Sequence, residues 1–113
     1  MSRSSGPLRG QVFHVDVEGI GPHYWLVVSN NQRNAHLRDV LVVLLTTTPP
    51  RSQRPSYVPL VQGQDPFEGW AKCDDIGPLF RDALGTVKGA LSPGTMRRVD
   101  AGLAFALNLT QPG

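Results

Sequence analysis

The sequence predicts a mainly β domain with a C-terminal helix (α+β), arranged as a compact, partly closed β-barrel with the helix packed against it. Three observations predict it. Val40 to Leu45 is an unbroken aliphatic run that turns hydroxylic at Thr46 and stops at Pro49-Pro50. Valine-rich runs bounded by a turn signal form strands buried on both faces, so this one belongs at the centre of a sheet. Several other short β-branched and aromatic runs are separated by Pro/Gly turns. Finally, Ser92 and Pro93 occupy the N-cap and first helical positions ahead of Met96, Val99, Leu103 and Ala106/Leu107, an apolar stripe at helical spacing.

In order, residues 1–8 are Ser, Arg, Gly and Pro with little to bury and are expected to form a tail. Gln11 to Val17 reads as a first strand, Glu18 to Pro22 as a tight connection and Tyr24 to Ser29 as a second strand. Asn30 to Asn34 is a polar loop leading to the central strand. Ser56 to Val61 is a short peripheral strand, because Pro59 cannot donate to a ladder. Trp70 to Asp75 is a fifth strand and Thr86 to Ala90 a sixth, with one or two helical turns expected over Pro78 to Leu84. Residues 9–109 then form a single domain, and residues 110–113 a short tail.

A chain of 113 residues has room for one modest core. The lone Cys73 can close no internal disulfide, which fits a reducing cytoplasm and excludes a cysteine-built zinc site. The three histidines are scattered, so neither a metal site nor a cofactor is expected. No apolar run approaches the length of a membrane span, and no signal-type segment is evident. Residues 1–56 hold six Arg against three acidic residues, a balance of +3, while residues 57–113 hold five Lys/Arg against six, a balance of −1. That asymmetry points to a polyanionic partner on one side or to ordinary surface charge.

The residues also carry a resemblance. Leu8-Arg9-Gly10-Gln11-Val12-Phe13-His14-Val15-Asp16 resembles the opening of the MazF/PemK/Kid toxins, and Trp25-Leu26-Val27-Val28-Ser29-Asn30 resembles their second strand. Val42-Val43-Leu44-Leu45-Thr46-Thr47 is similar to their third. Cys73-Asp74-Asp75-Ile76 is similar to a C-D-Q-I motif, and Leu91 to Asp100 to an L-S-P-E-T-M-x-x-V-D motif. The pieces follow the family's order over about residues 8–109. The resemblance implies an SH3-like barrel, shared with the CcdB poisons, and a homodimer. It also implies a growth-inhibiting, metal-independent endoribonuclease that cuts single-stranded RNA, restrained by a cognate antitoxin laid as an extended segment across the RNA groove.

Cutting RNA without a metal requires that the 2′-OH lose its proton, that the charge on the phosphate be neutralised and that the 5′-oxygen be protonated. The family pattern assigns such roles to a threonine ending the third strand and an arginine before the second. The threonine maps onto Thr46. Counting back from Ser29-Asn30 puts His23 at the arginine position and Tyr24 where a proline stands, the main departure from the pattern. Histidine, with an ordinary pKa near ~6.5, suits proton transfer; the plain alternative is a turn residue beside Pro22. One imidazole cannot be base and acid at once, so Arg51, Asp16 or Asp75 is expected to assist.

Arg51 and Arg54, in the loop after the central strand, are the expected phosphate contacts, with Thr47, Asp74, Asp75 and Glu18 as further RNA-binding candidates. Adjacent carboxylates on a strand point to opposite faces, so only one of Asp74 and Asp75 is expected in a groove. Trp25 and Cys73 are expected in the core, and Asn30 and Asn34 are expected to close a turn. Two rival functions remain. One is a catalytically silent RNA-binding module. The other is a CcdB-type gyrase poison, disfavoured because no aromatic follows Phe105.

Overall fold

Pairing of the aliphatic run on both of its edges sets the architecture. The computed structural model describes residues 6–109. Strands β1 (Gln11–Val17), β2 (Gly21–Val27), β3 (Asp39–Thr46), β4 (Tyr57–Pro59), β5 (Trp70–Phe80) and β6 (Val87–Ala90) form one antiparallel sheet. Its order is β4-β5-β3-β2-β1-β6. Among the described residues the two edges, β4 and β6, do not pair, so the curled sheet is not closed. Helices α1 (Asn31–His36) and α2 (Pro93–Leu107) complete the fold. The expected tails at residues 1–5 and 110–113 lie outside the described residues; within residues 6–8, the Leu8 amide donates to Gln11 Oε1.

Strict alternation along β3 feeds two cores. Val43 and Leu45 join Val12, Leu26, Val58, Ala71, Cys73, Met96 and Val99 under α2. Val40 and Val42 join Phe13, Val15, Trp25, Val27 and Leu84 on the opposite face. Val40, Val42 and Val43 are almost wholly buried. The expected two-sided burial of this strand is therefore observed, as is the burial of Trp25 and Cys73. Burial pushes the Cys73 thiol up to about 12, so it stays protonated.

Several boundaries differ from the expectation. β2 begins at Gly21, because Gly21, Pro22 and His23 pair with Val17, Asp16 and Val15 of β1. It ends before Ser29, whose hydroxyl replaces a ladder partner by accepting from the Leu41 amide at 3.0 Å. The polar loop contains α1, capped by Asn30 Oδ1 accepting from the Arg33 amide at 2.7 Å. β5 runs through Pro78 to Phe80, and only Arg81–Ala83 is helical, as a 3-10 turn. β4 pairs with β5 only from Trp70 to Lys72, so among the described residues no strand pairs with that edge of β5 at Pro78, where proline is tolerated. The stripe on α2 is buried at Met96 and Val99 and half-buried at Leu103, but Leu107 is exposed, just ahead of a left-handed Asn108 cap.

The segment between β4 and β5 is pinned to α2 by Asp65. Its carboxylate accepts from the Ser92 amide at 2.7 Å, the Thr95 hydroxyl at 2.6 Å and the Val61 amide at 2.7 Å. Burial pushes its pKa up, and these hydrogen bonds more than offset that, so the net shift is downward. A depressed carboxylate contributes stability above the unfolded aspartate value of ~3.9 and loses it as pH falls through the folded value. Asp65→Asn is therefore expected to be less stable at neutral pH, and its deficit should shrink below about pH 4. Urea midpoints between neutral and acid pH check this; a deficit independent of pH would contradict it.

Candidate active site

Because β2, β3, β5 and β4 lie side by side, strand alternation places a row of side chains on the face opposite α2. Trp25 pairs with Leu44, Leu44 with Lys72, and Lys72 with Tyr57. One step along, Thr46 pairs with Trp70, and Trp70 with Pro59. The β2–β3 register ends at Tyr24 and Leu45; continued by one residue, it sets His23 beside Thr46. Directly opposed side chains on one face of a sheet have Cβ atoms about 5 Å apart. The two candidates nominated for catalysis thus share a face and a neighbourhood. His23 is half-buried, its ring edge-on to Trp25 at 6.4 Å between centroids. Among the described residues the buried Trp25 indole N–H finds no hydrogen-bond partner.

Next to this pair opens a cavity of about 330 Å³ lined by Thr46, Thr48, Pro49, Pro50, Arg51, Ser52, Arg54, Tyr57 and Lys72. Its lining includes three cations, of which Arg54 and Lys72 also stand 3.6 Å and 3.0 Å from the carboxylates of Asp74 and Asp75. Thr46 stands at the end of β3 with its Oγ1 accepting from the Thr48 amide at 3.1 Å. That bond orients the hydroxyl and leaves its own hydrogen free to donate. The Arg54 guanidinium lies 5.9 Å from the Tyr57 ring centroid and 3.6 Å from Asp74 Oδ2.

Neither carboxylate of the Asp74/Asp75 pair is buried. The β3–β5 register shifts between Val43 and Leu44, from Ile76 to Lys72, so Cys73, Asp74 and Asp75 form a bulge. Simple alternation therefore does not separate the two carboxylates: Asp74 pairs with Arg54 and accepts from Ser56 Oγ at 2.7 Å, while Asp75 pairs with Lys72 at 3.0 Å. Asp75 also lines a neighbouring, mostly apolar cavity with Trp25, Leu44 and Ile76. Thr47 and Glu18 are exposed and line neither cavity, Glu18 lying in the β1–β2 turn. Among the candidate helpers, Asp16 alternates onto the α2 face, away from His23, which leaves Arg51 and Asp75. Asn30 and Asn34 serve the turn: Asn30 caps α1, and the buried Asn34 amide donates to the Ser29 carbonyl at 3.0 Å.

Tyr57 and Lys72 were not singled out from the sequence. The signal was present in Ala71-Lys72-Cys73, where buried small residues flank a lysine that must then face the other way. What the sequence lacks is the pairing that brings β4 and its Tyr57 opposite.

Comparisons with known proteins show the family of the chain. Residues 8–107 match the family described as PemK-like, MazF-like toxin of type II toxin-antitoxin system. The chain belongs to the MazF/PemK toxin family. Among curated relatives, Endoribonuclease MazF4 of Mycobacterium tuberculosis and Endoribonuclease MazF1 of Mycobacterium bovis are each 44% identical over 96% of this chain and 99% of theirs. A solved mycobacterial endoribonuclease in complex with its cognate antitoxin superimposes with a TM-score of 0.85 at 44% identity, covering 95% of this chain and 100% of that one. A MazE–MazF structure from Deinococcus radiodurans shares the fold at 18% identity, with a TM-score of 0.74 over 93% of this chain and 98% of that one. Within this MazF-like framework, the basic wall of the cavity comes from the β3–β4 loop and β5, not from the β1–β2 turn.

Proposed function

We propose that this MazF-family chain is the toxin of a toxin–antitoxin pair and a metal-independent endoribonuclease acting on single-stranded RNA. His23 takes the proton from the 2′-OH. The 2′-oxygen then bonds to phosphorus, and the bond to the 5′-oxygen breaks. Thr46 donates a hydrogen bond to a non-bridging oxygen, the leaving 5′-oxygen takes a proton from a water in the open cavity, and the hydroxide so formed takes back the proton held on His23. The products are a 2′,3′-cyclic phosphate and a 5′-hydroxyl. Side chains thereby supply the base and the charge stabilisation that a metal would otherwise provide. The observation that carries this reading is a cavity whose lining holds Thr46, Arg51, Arg54 and Lys72, with His23 on the same sheet face one residue beyond the last β2–β3 pair, Tyr24 with Leu45.

The protein acts as a cytoplasmic homodimer on this reading, and its cognate antitoxin silences it by lying extended across the same groove. The test is incubation of a long single-stranded RNA with the protein in EDTA, followed by mapping of the fragment ends. Cyclic phosphates at a recurring sequence are expected; intact RNA, or 3′-hydroxyl ends, would overturn the reading. One observation favours a second reading, a silent RNA-binding module: His23 and Tyr24 stand where the family pattern has an arginine and a proline. RNA bound but left whole would support that one.

Arg51 and Arg54 act as phosphate contacts. Each phosphate neutralised on a single strand contributes a slope of about −0.7 in log affinity against log salt, so replacing both arginines with alanine is expected to flatten the slope by about 1.4. Titration of an uncleavable 2′-deoxy oligonucleotide at several salt concentrations measures it. An unchanged slope would place the contacts elsewhere.

A further inference from the structure

Trp70 completes the row that carries His23 and Thr46. It pairs directly with Thr46 on one side and with Pro59 on the other, on the face turned away from α2. Ala71, the next residue, is buried under α2, which fixes the opposite facing of its neighbour. Trp70 is half-buried, and among the described residues it belongs to neither of the two hydrophobic cores. Trp25, by contrast, is 7% exposed and packed in the second core. A large apolar ring standing outside the core beside a polar site is a candidate for ligand contact. Its backbone is also held tightly. Gly69 passes so close to the end of β3 that a Cβ there would stand 2.1 Å from the Thr46 carbonyl oxygen, and the Gly69 carbonyl accepts from the Leu60 amide at 2.8 Å. The indole therefore has a fixed place, with its Cβ about 5 Å from that of Thr46.

We propose that Trp70 is a base-stacking residue of the ribonuclease reaction argued above, on which this inference rests: its indole stacks against one of the two nucleobases flanking the scissile phosphate. A base–aromatic stack suits this position because every base has a π-face, so the contact tolerates any sequence. It also complements the rest of the site. Thr46, Arg51 and Arg54 meet phosphate oxygens, which leaves the sugar free to turn about the backbone. A base fixed on Trp70 removes that freedom and holds the 2′-oxygen on the His23 side. On this reading Trp70 contributes affinity and alignment, not base identity.

The experiment first maps the cut in a long RNA treated with wild-type protein in EDTA. Binding is then measured to a short oligonucleotide with a 2′-deoxy sugar at that position, intact or with an abasic site in place of either flanking base. Trp70→Leu, which keeps an apolar side chain without a π-face, is expected to bind the intact oligonucleotide about 5- to 150-fold more weakly, the range of one base–aromatic stack. Trp70→Phe should keep most of the affinity. One of the two abasic substitutions should weaken wild-type binding to a similar degree and weaken Trp70→Leu little further, since the stack is already gone. Binding should quench the tryptophan emission of the wild type, and the quench should shrink in Trp70→Phe, which retains only the buried Trp25. Melting temperatures serve as the control: a merely structural role would lower the melt of Trp70→Leu and weaken its binding to intact and abasic oligonucleotides alike. That outcome, or wild-type affinity in a folded Trp70→Leu, overturns the stacking role while the ribonuclease reading stands. Wild-type protein that leaves RNA intact overturns both.

Discussion

Replacing His23 with alanine is expected to slow RNA cleavage by about 10²–10⁴-fold, the range that a positioned acid–base group contributes. The expectation rests on register: the β2–β3 pairing, carried one residue past Tyr24 and Leu45, brings the imidazole beside Thr46. Thr46→Ala should also slow cleavage, by removing one hydrogen-bond donor to the phosphate. Neither change removes core packing, since both side chains are only half-buried. Single-turnover rates with the melting temperature as a control decide the matter. If both variants cut as fast as the wild type, the site is wrongly placed, whatever the family.

The second large effect is structural and converges on the same threonine. Gly69, just before β5, has φ +118, and a Cβ placed there would stand 2.1 Å from the Thr46 carbonyl oxygen and 3.2 Å from Thr47 Cα. The chain therefore combines a left-handed backbone with a close approach that only glycine permits. Gly69→Ala must push the end of β3 aside, at a cost of about 2–4 kcal/mol from backbone strain and overpacking together. A melting temperature lower by about 10 °C or more is expected, with slower cleavage as Thr46 is displaced. Thermal denaturation followed by circular dichroism measures the first effect. A melt within about 2 °C of wild type would show that the strand end yields cheaply.

Much of this organisation was legible in the sequence because local chemistry and long-range packing agree. The Val40 to Leu45 run could be buried only at the centre of a sheet, and the Ser92-Pro93 pair starts α2 through its own hydrogen bonding: Ser92 Oγ accepts from the Thr95 amide at 3.2 Å. Thr46, Arg51 and Arg54 were readable as neighbours because they follow one another around a single turn. Other features were not readable, each for a physical reason. Pro78 was expected to open one or two helical turns, yet β5 passes through it where β4 no longer covers the edge. Asp74 and Asp75 looked like a regular strand pair, yet the bulge breaks their alternation. Lys72 and Tyr57 become a site only through the pairing of β4 with β5, a long-range contact that no local pattern announces.

The measurement that bears most directly on the central claim is a crystal structure of the protein with an RNA carrying a 2′-deoxy sugar at the scissile position. That phosphate is expected in the cavity beside Thr46, with Thr46 Oγ1 within hydrogen-bond distance of a non-bridging oxygen and the His23 ring facing the 2′-carbon. A scissile phosphate seated on the α2 face, or one out of reach of either side chain, would contradict it.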